Sequence, residues 1–407
     1  MTVLSGPSAV ADLIGAGGPA SRPFAPEALA VLGELSRRLM ADSQARAHPD
    51  LQALAFWLRP AGLARLQGDF AALERPGRLV VPRGMAFHVP PANVGTLFAY
   101  GWALSLLAGN RNIVRLSSRA APEQGVLLRL IGEALDAAAP DLRGANHFVH
   151  YGHDDAVTAA LSRAADVRVL WGGDVTVTRL RALPVNPRCV DLAFPDRFSW
   201  AVLAAGAVAG ADDGALERLA EGLARDLFWF GQKACSSPRL VVWCGEAGAC
   251  DAAAERLYPR VGAAARRLAD GGDVGAVLAR RLFLHQAALD LPVRAVEEHG
   301  PLAVLRLDGL PDLAALKGPH AGGGVVADLR LPDLEAAAVL AGARDQTLTH
   351  FGFPVAELDG FVRCLNGRGL DRLVPVGQAL AFDAVWDGLD LLAGFTRIVT
   401  VQGGTRP

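Results

Sequence analysis

The stretch VGTLFAYGWALSLLAG, residues 94–109, decides the fold together with NIVRLS at residues 112–117. The first segment is almost wholly apolar, yet it is shorter than the roughly 20 residues that a membrane-spanning helix needs. It therefore predicts a helix buried inside the protein, and the aliphatic residues of the second segment predict a short buried strand. A buried helix followed at once by a buried strand is typical of α/β proteins.

The same alternation extends on both sides of this pair. Three segments predict further strands: RLVVPRGMAFHVP (78–90), HFVHYG (147–152) and DVRVLWGG (166–173). Three segments predict helices: EQGVLLRLIGEALDAAA (123–139), DDAVTAALSRA (154–164) and VTVTRLRAL (175–183). Because strands and helices alternate, we expect a parallel sheet with helices on both faces, joined by right-handed crossovers. Such a sheet binds dinucleotides at the carboxyl ends of its strands, so a Rossmann-type nucleotide-binding domain is predicted.

A second alternating set follows in the C-terminal half of the chain. Its predicted strands are FSWAVLAAG (198–206), RLVVWC (239–244), LAVLRL (302–307) and GGVVADL (323–329). The 407 residues exceed what a single core usually holds, so two α/β domains are expected. The predicted division is a nucleotide-binding domain with an N-terminal helical segment over 1–198, a catalytic domain over 199–375, and a C-terminal segment over 376–407 that packs back on the core.

The composition excludes several classes of partner. The formal net charge is −2 and the basic residues are scattered, which argues against nucleic acid. The N-terminus lacks the basic region and long apolar core of a signal peptide, so a cytoplasmic location without a membrane span is expected. GAGGPA at residues 15–20 fits a loose dinucleotide pattern, but no buried strand precedes it and no helix follows directly. We therefore interpret it as a linker or turn.

The cysteines are single rather than paired. They occupy positions 189, 235, 244, 250 and 364, with no Cys-x-x-Cys pair and no zinc-ligand spacing, so neither disulfides nor a metal site is predicted. Cys235 differs from the rest because FGQKACSSPR (230–239) links an amphipathic run to a strand. Lys233 and Arg239 lie close in sequence, and positive charge and free backbone N–H groups activate a thiolate. The other four are interpreted as small buried apolar residues.

Five segments in order carry a resemblance to a known family. FGQKACSSPR resembles the nucleophile segment of the aldehyde dehydrogenase superfamily, and its Cys-Ser-Ser-Pro form resembles the acyl-CoA reductases of the bacterial-luminescence type. The other matching segments lie at residues 89–122, 147–174, 297–307 and 372–392, and the last resembles the reductase branch specifically. The resemblance spans roughly residues 78–400 and implies an aldehyde-dehydrogenase-like fold.

The resemblance implies roles for individual residues. Cys235 would be the nucleophile, and Asn93, in PPANVG, would donate its side-chain amide to the oxyanion of the tetrahedral intermediate. Glu297, three residues before Gly300, would accept hydrogen bonds from the nicotinamide ribose, although the adjacent Glu298 competes for this assignment. Without the family resemblance, the residues alone indicate that Asn93 is a turn residue and that Glu297 is a surface carboxylate.

The cofactor preference rests on the residues after the predicted strand at 112–117. Arg115 stands where the family usually has a lysine that contacts the adenosine ribose. Ser117, Ser118 and Arg119 follow, whereas NAD-preferring members often carry a glutamate near Ser118. Guanidinium groups in place of that acid favour a 2′-phosphate, so NADPH is predicted, with NADH as the alternative. Arg115 and Arg119 could equally cap an exposed sheet end.

Two glycines complete the predicted cofactor site. Gly172 and Gly173 would let the backbone approach the cofactor, although a tight turn between a strand and a helix also explains them.

Two departures from the family pattern bear on the chemistry. Counted without gaps from Gly231, the cysteine lies one place later than in common aldehyde dehydrogenases, so either a local shift restores the geometry or the site is inert. The family's Glu-Leu-Gly-Gly segment is also missing, and CVDLAFPDRFSW (189–200) offers only Asp191 or Asp196. A hydrolytic dehydrogenase needs a general base to activate water, whereas a thioester reductase does not.

The predicted function is therefore NADPH-dependent reduction of an acyl thioester, bound to CoA or a carrier protein, to the aldehyde through a thioester on Cys235. The alternatives are an aldehyde-oxidising NAD(P) dehydrogenase and a non-catalytic acyl- or nucleotide-binding subunit. His88, Tyr151, His153, His299 and His350 lie near the matching segments and are proton-donor candidates, though a core or surface role fits each better. An acyl-activating synthetase partner and a homo-oligomer are expected by analogy only.

Overall fold

The computed structural model describes residues 2–3, 7–15, 21–91, 94–117, 122–152, 154–268 and 274–403. The helices are α1 (Pro7–Gly15), α2 (Pro26–Ala41), α3 (Ser43–Arg46), α4 (Pro49–Trp57), α5 (Pro60–Ala71), α6 (Leu97–Leu107), α7 (Pro122–Ala138), α8 (Asp155–Ala164), α9 (Asp174–Arg181), α10 (Ala205–Gly210), α11 (Asp213–Phe228), α12 (Ala247–Ala265), α13 (Val274–Asp290), α14 (Leu313–Leu316), α15 (Val355–Leu365) and α16 (Leu391–Gly394). Short 3₁₀ segments cover Pro140–Ala145, Trp229–Gln232 and Ala336–Leu340.

The strands complete the α/β fold that the sequence predicts. They are β1 (Thr2–Val3), β2 (Arg78–Pro82), β3 (Met85–Val89), β4 (Arg111–Arg115), β5 (Asn146–His150), β6 (Val167–Trp171), β7 (Val190–Phe194), β8 (Phe198–Ala204), β9 (Pro238–Cys244), β10 (Val293–His299), β11 (Leu302–Leu307), β12 (Val325–Leu331), β13 (Asp345–Phe351), β14 (Arg372–Pro375), β15 (Val385–Trp386), β16 (Leu389–Asp390) and β17 (Thr396–Thr400). The chain divides into two compact units, Met1–Pro195 with Phe382–Pro407, and Asp196–Ala381. The predicted domain boundaries, after residues 198 and 375, stay predictions.

The first unit is built on a six-stranded sheet in the order β1-β5-β4-β3-β6-β7. Every neighbouring pair in it is parallel. Helix α6 is buried along almost its whole length, as its apolar sequence predicts. Its Trp102 indole donates to Asn146 Oδ1 at 2.8 Å, and the Asn112 amide donates to the same oxygen at 3.0 Å. These bonds satisfy buried polar groups and fix the helix against the sheet.

One predicted strand of this unit is in fact two. Within residues 78–90, β2 pairs antiparallel with β17, whereas β3 joins the parallel sheet. Pro82 ends the first strand, because proline has no N–H for the ladder. Gly84 then turns the chain at φ 134°, where a β-carbon would collide with the Asp166 carboxylate.

The second unit is built on a seven-stranded sheet in the order β10-β11-β12-β9-β8-β13-β14. All its pairs are parallel except β10 with β11. Helices α11 and α12 cover one face with a large apolar core, whereas the cluster of Ala287, Ala303, Leu305 and Val325 packs beneath α13 on the other face. The amino ends of β8, β9, β12 and β13 lie side by side along one edge of this sheet.

Candidate active site

The turn that carries Cys235, residues 229–237, begins with an unusual backbone. Phe230, Gly231 and Gln232 have successive φ values of 55°, 58° and 62°, all in the left-handed region. This conformation costs a residue other than glycine roughly 1–2 kcal/mol. The turn therefore needs strong contacts to hold it, and we call residues 229–237 the nucleophile turn.

The Gln232 side chain provides the main contacts. It is buried, and its Nε2 donates to the carbonyl oxygens of Pro238 and Val325, both at 2.8 Å. Its Oε1 accepts from the backbone N–H groups of Gly324 and Val325 at 2.9 and 3.0 Å. A single amide thus joins the nucleophile turn to the start of β9 and to the start of β12.

Cys235 is fixed from the side of β8 and β13. The buried Ser199 Oγ donates to the Cys235 carbonyl oxygen at 2.7 Å and accepts from the Thr347 N–H at 3.2 Å. The Gln346 amide Nε2 donates to the Cys235 Sγ at 3.4 Å. A hydrogen bond from an uncharged amide stabilises a thiolate more than a thiol, because the charged form is the stronger acceptor. The sequence singled out Cys235, but Ser199 carried no signal.

Arg239, just after the nucleophile turn, and the two acids considered for activating water all have charged partners. Arg239 is half-buried and interacts electrostatically with both Asp196 and Cys235, while burial lowers the pKa of its guanidinium. Asp196 already forms an ion pair with Arg344. Asp191 is the other acid considered for activating water. Its two carboxylate oxygens each accept a hydrogen bond from the Arg168 guanidinium at 2.7 Å. Both acids are therefore engaged in ion pairs.

A buried carboxylate stands in the helix that leads into the nucleophile turn. Asp226, in the last turn of α11, accepts from the N–H groups of Gly377 and Ala379 at 2.6 and 3.1 Å. Burial raises the pKa of this carboxyl group to about 7. Asp226 thus ties residues 377–379 to the helix that positions the turn.

The raised pKa of Asp226 predicts a pH-dependent stability. The folded state binds this proton more tightly than the unfolded chain, so the contribution of Asp226 falls as the pH rises from about 4 to about 7. Relative to Asp226→Asn, the unfolding free energy of the natural protein should fall by up to about 1.4 kcal/mol for each pH unit in this window. Urea unfolding at several pH values checks this, and parallel pH profiles would contradict it.

Apart from Glu297, the predicted cofactor residues that the structure describes lie at the carboxyl edge of the six-stranded sheet. Arg115 ends β4, stacks over the Tyr151 ring at 4.6 Å, and donates to the Gly152 carbonyl at 3.2 Å. Ser117 follows after Leu116. Gly172 and Gly173 join β6 to α9, and a β-carbon at Gly172 would lie 3.2 Å from the Thr176 side chain. Parallel sheets bind dinucleotides at this edge, so the placement fits a nicotinamide dinucleotide.

Glu297 occupies a different setting from the open carboxylate that the resemblance implies. It lies on β10, where its Oε1 is 2.6 Å from Arg306 Nε and its Oε2 is 3.6 Å from His299 Nε2. Glu298 lies on the opposite face of the same strand, 3.5 Å from Arg280. A ribose contact at Glu297 would therefore share the carboxylate with Arg306, and the cofactor role stays a prediction.

Several predicted residues lie outside the described residues. They are Asn93, Ser118 and Arg119 of the predicted site, His153 among the proton-donor candidates, and residues 16–20 of GAGGPA.

The described proton-donor candidates occupy ordinary structural settings. His88 is buried, contacts Asn112 Oδ1 at 3.0 Å, and has its pKa lowered to about 4 by burial. His299 stacks against Tyr258, and burial lowers the pKa of His350. The Tyr151 hydroxyl accepts from Thr158 Oγ1 at 3.2 Å, and burial raises its pKa. None of these geometries singles out a proton donor.

The remaining cysteines partly depart from the prediction. Cys244 and Cys250 are buried and Cys189 is half-buried, but Cys364 is exposed on α15, so the prediction is wrong there. Arg363 before it is also exposed, whereas Leu365 after it is buried. Within the described ranges, no group of three or more His, Cys, Asp or Glu residues could hold a metal ion. No helix among them is both long and apolar enough to cross a membrane.

The comparison with protein families confirms the resemblance. Residues 75–268 match the family model described as acyl-CoA reductase (LuxC). This region runs from β2 to α12 and includes α6, β4 and the nucleophile turn. The prediction of an enzyme of the acyl-CoA reductase type is confirmed at that level. No curated protein sequence gives a significant match.

Solved structures share the fold over almost the whole chain. A protein of Burkholderia cenocepacia described as an aldehyde dehydrogenase has a TM-score of 0.67 at 20% identity. The match covers 98% of this chain and 92% of that protein. Glyceraldehyde-3-phosphate dehydrogenase of Methanocaldococcus jannaschii, complexed with NADP, has a TM-score of 0.68 at 13% identity, with 98% and 95% covered. An indole-3-acetaldehyde dehydrogenase complexed with NAD+ has a TM-score of 0.66 at 15% identity, with 93% and 84% covered. The predicted aldehyde-dehydrogenase-like fold is therefore confirmed.

Proposed function

We propose, with the acyl-CoA reductase match of residues 75–268 as the premise, that this protein reduces an acyl thioester to the aldehyde through a covalent thioester on Cys235. The observation that carries the proposal is the geometry of Cys235, whose backbone is held by Ser199 and whose sulfur accepts a hydrogen bond from Gln346. A thiolate held in this way is a good nucleophile and, because of its low basicity, a good leaving group.

The proposed reaction has two stages at this sulfur. The Cys235 thiolate attacks the thioester carbonyl carbon, the bond to the carrier sulfur breaks, and the carrier thiolate leaves and takes up a proton. Bound NADPH would supply a hydride to the carbonyl carbon of the resulting acyl-enzyme. The hemithioacetal then releases the aldehyde as the carbon–sulfur bond breaks, which restores the Cys235 thiolate. Overall, one acyl thioester, one NADPH and one proton yield aldehyde, free thiol and NADP+.

The ion pairs of Asp191 and Asp196, the two acids considered for activating water, favour reduction over hydrolytic oxidation. An aldehyde-oxidising dehydrogenase needs a carboxylate that is free to accept a proton from water. Asp191 is bound by Arg168 and Asp196 by Arg344, so neither is a ready general base. A thioester reductase has no such requirement, because the carrier thiol rather than water enters and leaves.

The residues at the carboxyl edge of the first sheet support a nicotinamide dinucleotide. Arg115 would meet a phosphate on the adenosine ribose, and Ser117 and the Gly172–Gly173 turn lie at the same edge of the sheet. Among the described residues, the Arg115 guanidinium donates one hydrogen bond, to the Gly152 carbonyl, and its five N–H groups leave donors for a phosphate. NADPH is therefore the proposed cofactor, and NADH the alternative.

Arg115→Gln tests this preference. Removing one charge-assisted contact to a phosphate should lower the ratio of kcat/KM for NADPH to kcat/KM for NADH by roughly tenfold to a hundredfold. Steady-state kinetics with both cofactors measure the ratio. Arg163→Gln, at an exposed arginine of the same unit, should leave it unchanged. A ratio that is the same in all three proteins would contradict the assignment of Arg115.

The proposed function is tested by following nicotinamide absorbance with acyl-CoAs of varied chain length and with NADPH or NADH. Oxidation of the reduced cofactor with formation of aldehyde supports the proposal. Free acid formed from aldehyde and NAD(P)+ without CoA would instead favour an aldehyde-oxidising dehydrogenase. An absence of turnover together with an absence of acylated Cys235 by mass spectrometry would favour a non-catalytic binding subunit.

The wider assembly stays a prediction. A carrier-protein thioester in place of acyl-CoA, an acyl-activating synthetase partner, a homo-oligomer and a cytoplasmic location are expected from the family resemblance.

A further inference from the structure

A cavity lies beneath α13, wholly within the unit formed by residues 196–381. Its volume is about 540 Å³, and α13, β11, β12 and residues 314–320 bound it. This is a typical size for a small-molecule pocket, which usually has roughly 300–1,000 Å³. Most of its wall is apolar and includes Leu282, Phe283, Ala287, Leu305, Leu316 and Ala327.

One positive charge stands in this apolar wall. The Nε of Arg239 is buried and has no hydrogen-bond partner within the part of the chain that the structure describes. Asp196, the acid that interacts with Arg239, is already paired with Arg344. An unsatisfied buried donor is costly and rare in folded proteins, so the arginine is suited to receive an anionic oxygen.

The other polar groups of the cavity orient such a ligand. Burial lowers the pKa of His320 to about 3, so this residue is neutral, and its ring packs edge-on against Phe283 at 4.6 Å. Asp290, an exposed acid that accepts from Gln286, also lines the cavity. An anion is therefore attracted towards Arg239 and repelled from Asp290.

The thiol of Cys235 is not part of the cavity wall, although Arg239, which is, also interacts electrostatically with Cys235. The cavity walls include residues of β11 and β12, whereas the Cys235 Sγ accepts a hydrogen bond from Gln346 on β13. In the sheet order, β12 and β13 lie on opposite sides of β9 and β8. A thioester on Cys235 would form at the sulfur that Gln346 contacts, and neither residue lines the cavity, so the cavity offers room for a second molecule.

We propose that this cavity binds a monocarboxylate with an unbranched apolar chain, with the carboxylate at Arg239 and the chain along the apolar wall. The proposal goes beyond the reduction of a thioester, because the ligand is a free acid that forms no bond to the protein. Such an acid is what hydrolysis of an acyl thioester releases, so an enzyme of this class would encounter it.

Isothermal titration of the full chain, without cofactor or thioester, tests the proposal with octanoate, octanol and octylamine. We expect octanoate to bind at least tenfold more tightly than the other two. Lengthening the acid from hexanoate to octanoate should strengthen binding by up to about fourfold for each methylene group. Equal affinities for octanoate and octanol, or no binding of octanoate, would overturn the proposal.

Two substitutions on α13 provide a matched pair. Leu282 lines the cavity and Leu289 does not, and both side chains are largely exposed, at 61% and 82%. Leu282→Trp should weaken octanoate binding at least tenfold, whereas Leu289→Trp should bind like the natural protein. If Leu282→Trp binds octanoate normally, the cavity is not the site. Because turnover is not involved, a failure here leaves the proposed reductase function untouched, and a failure of that function leaves this binding result valid.

Discussion

Cys235→Ala is expected to lower acyl-CoA-dependent oxidation of NADPH by at least about 10⁴-fold, the scale of loss seen when an enzyme's nucleophile is removed. The alanine variant keeps the β-carbon of residue 235 but has no sulfur to form the acyl-enzyme. The backbone contacts should survive, because Ser199 Oγ donates to the carbonyl of residue 235 rather than to its side chain. The loss should therefore appear in kcat with unchanged thermal stability.

The control for this substitution is Cys364→Ala. Cys364 is exposed on α15, so general thiol reagents reach it, but it lies apart from the nucleophile turn in sequence and in structure. We expect full activity in this variant, and mass spectrometry should find the acyl group from acyl-CoA on Cys235 alone. Turnover retained by Cys235→Ala, or acylation of Cys364 in its place, would remove Cys235 from the mechanism.

The elements around α6 and β4 could be predicted because their signals are local. An apolar run, a glycine and a short aliphatic strand are contiguous, and both segments are buried as expected. Strand β13 was not predicted, since DQTLTHF is mostly polar. Its residues are buried because β8 and β14 pair with it on its two sides. Such pairing is not visible in the segment itself.

The residues of the candidate site likewise fall into those that one segment of sequence reveals and those that only the fold brings together. Cys235 could be identified because FGQKACSSPR is one continuous segment. Ser199 and Gln346 lie 36 and 111 residues from it in sequence and reach it only because β8 and β13 start at the same sheet edge. The Glu297–Arg306 ion pair likewise depends on the antiparallel pairing of β10 with β11, which the segment EEHGP does not reveal.

Gln232→Leu is expected to cause the largest loss of stability among substitutions in the nucleophile turn. Leucine has a similar size, but it makes none of the four hydrogen bonds of the amide and leaves buried N–H and C=O groups of Pro238, Gly324 and Val325 without this partner. Each unsatisfied buried group costs about 1–3 kcal/mol, so a total of about 4 kcal/mol or more is expected. The melting temperature should fall by roughly 5 °C or more.

Gln378→Leu makes the same replacement at an exposed position and should change the unfolding free energy by less than about 0.5 kcal/mol. Chemical unfolding of both variants gives the comparison. Because Gln232 also braces the left-handed backbone of residues 230–232, its loss should slow acylation of Cys235 even at temperatures where the variant is folded. A Gln232→Leu protein as stable as Gln378→Leu would mean that the strained turn is held by Ser199 and the Gly231–Gly323 backbone bond instead.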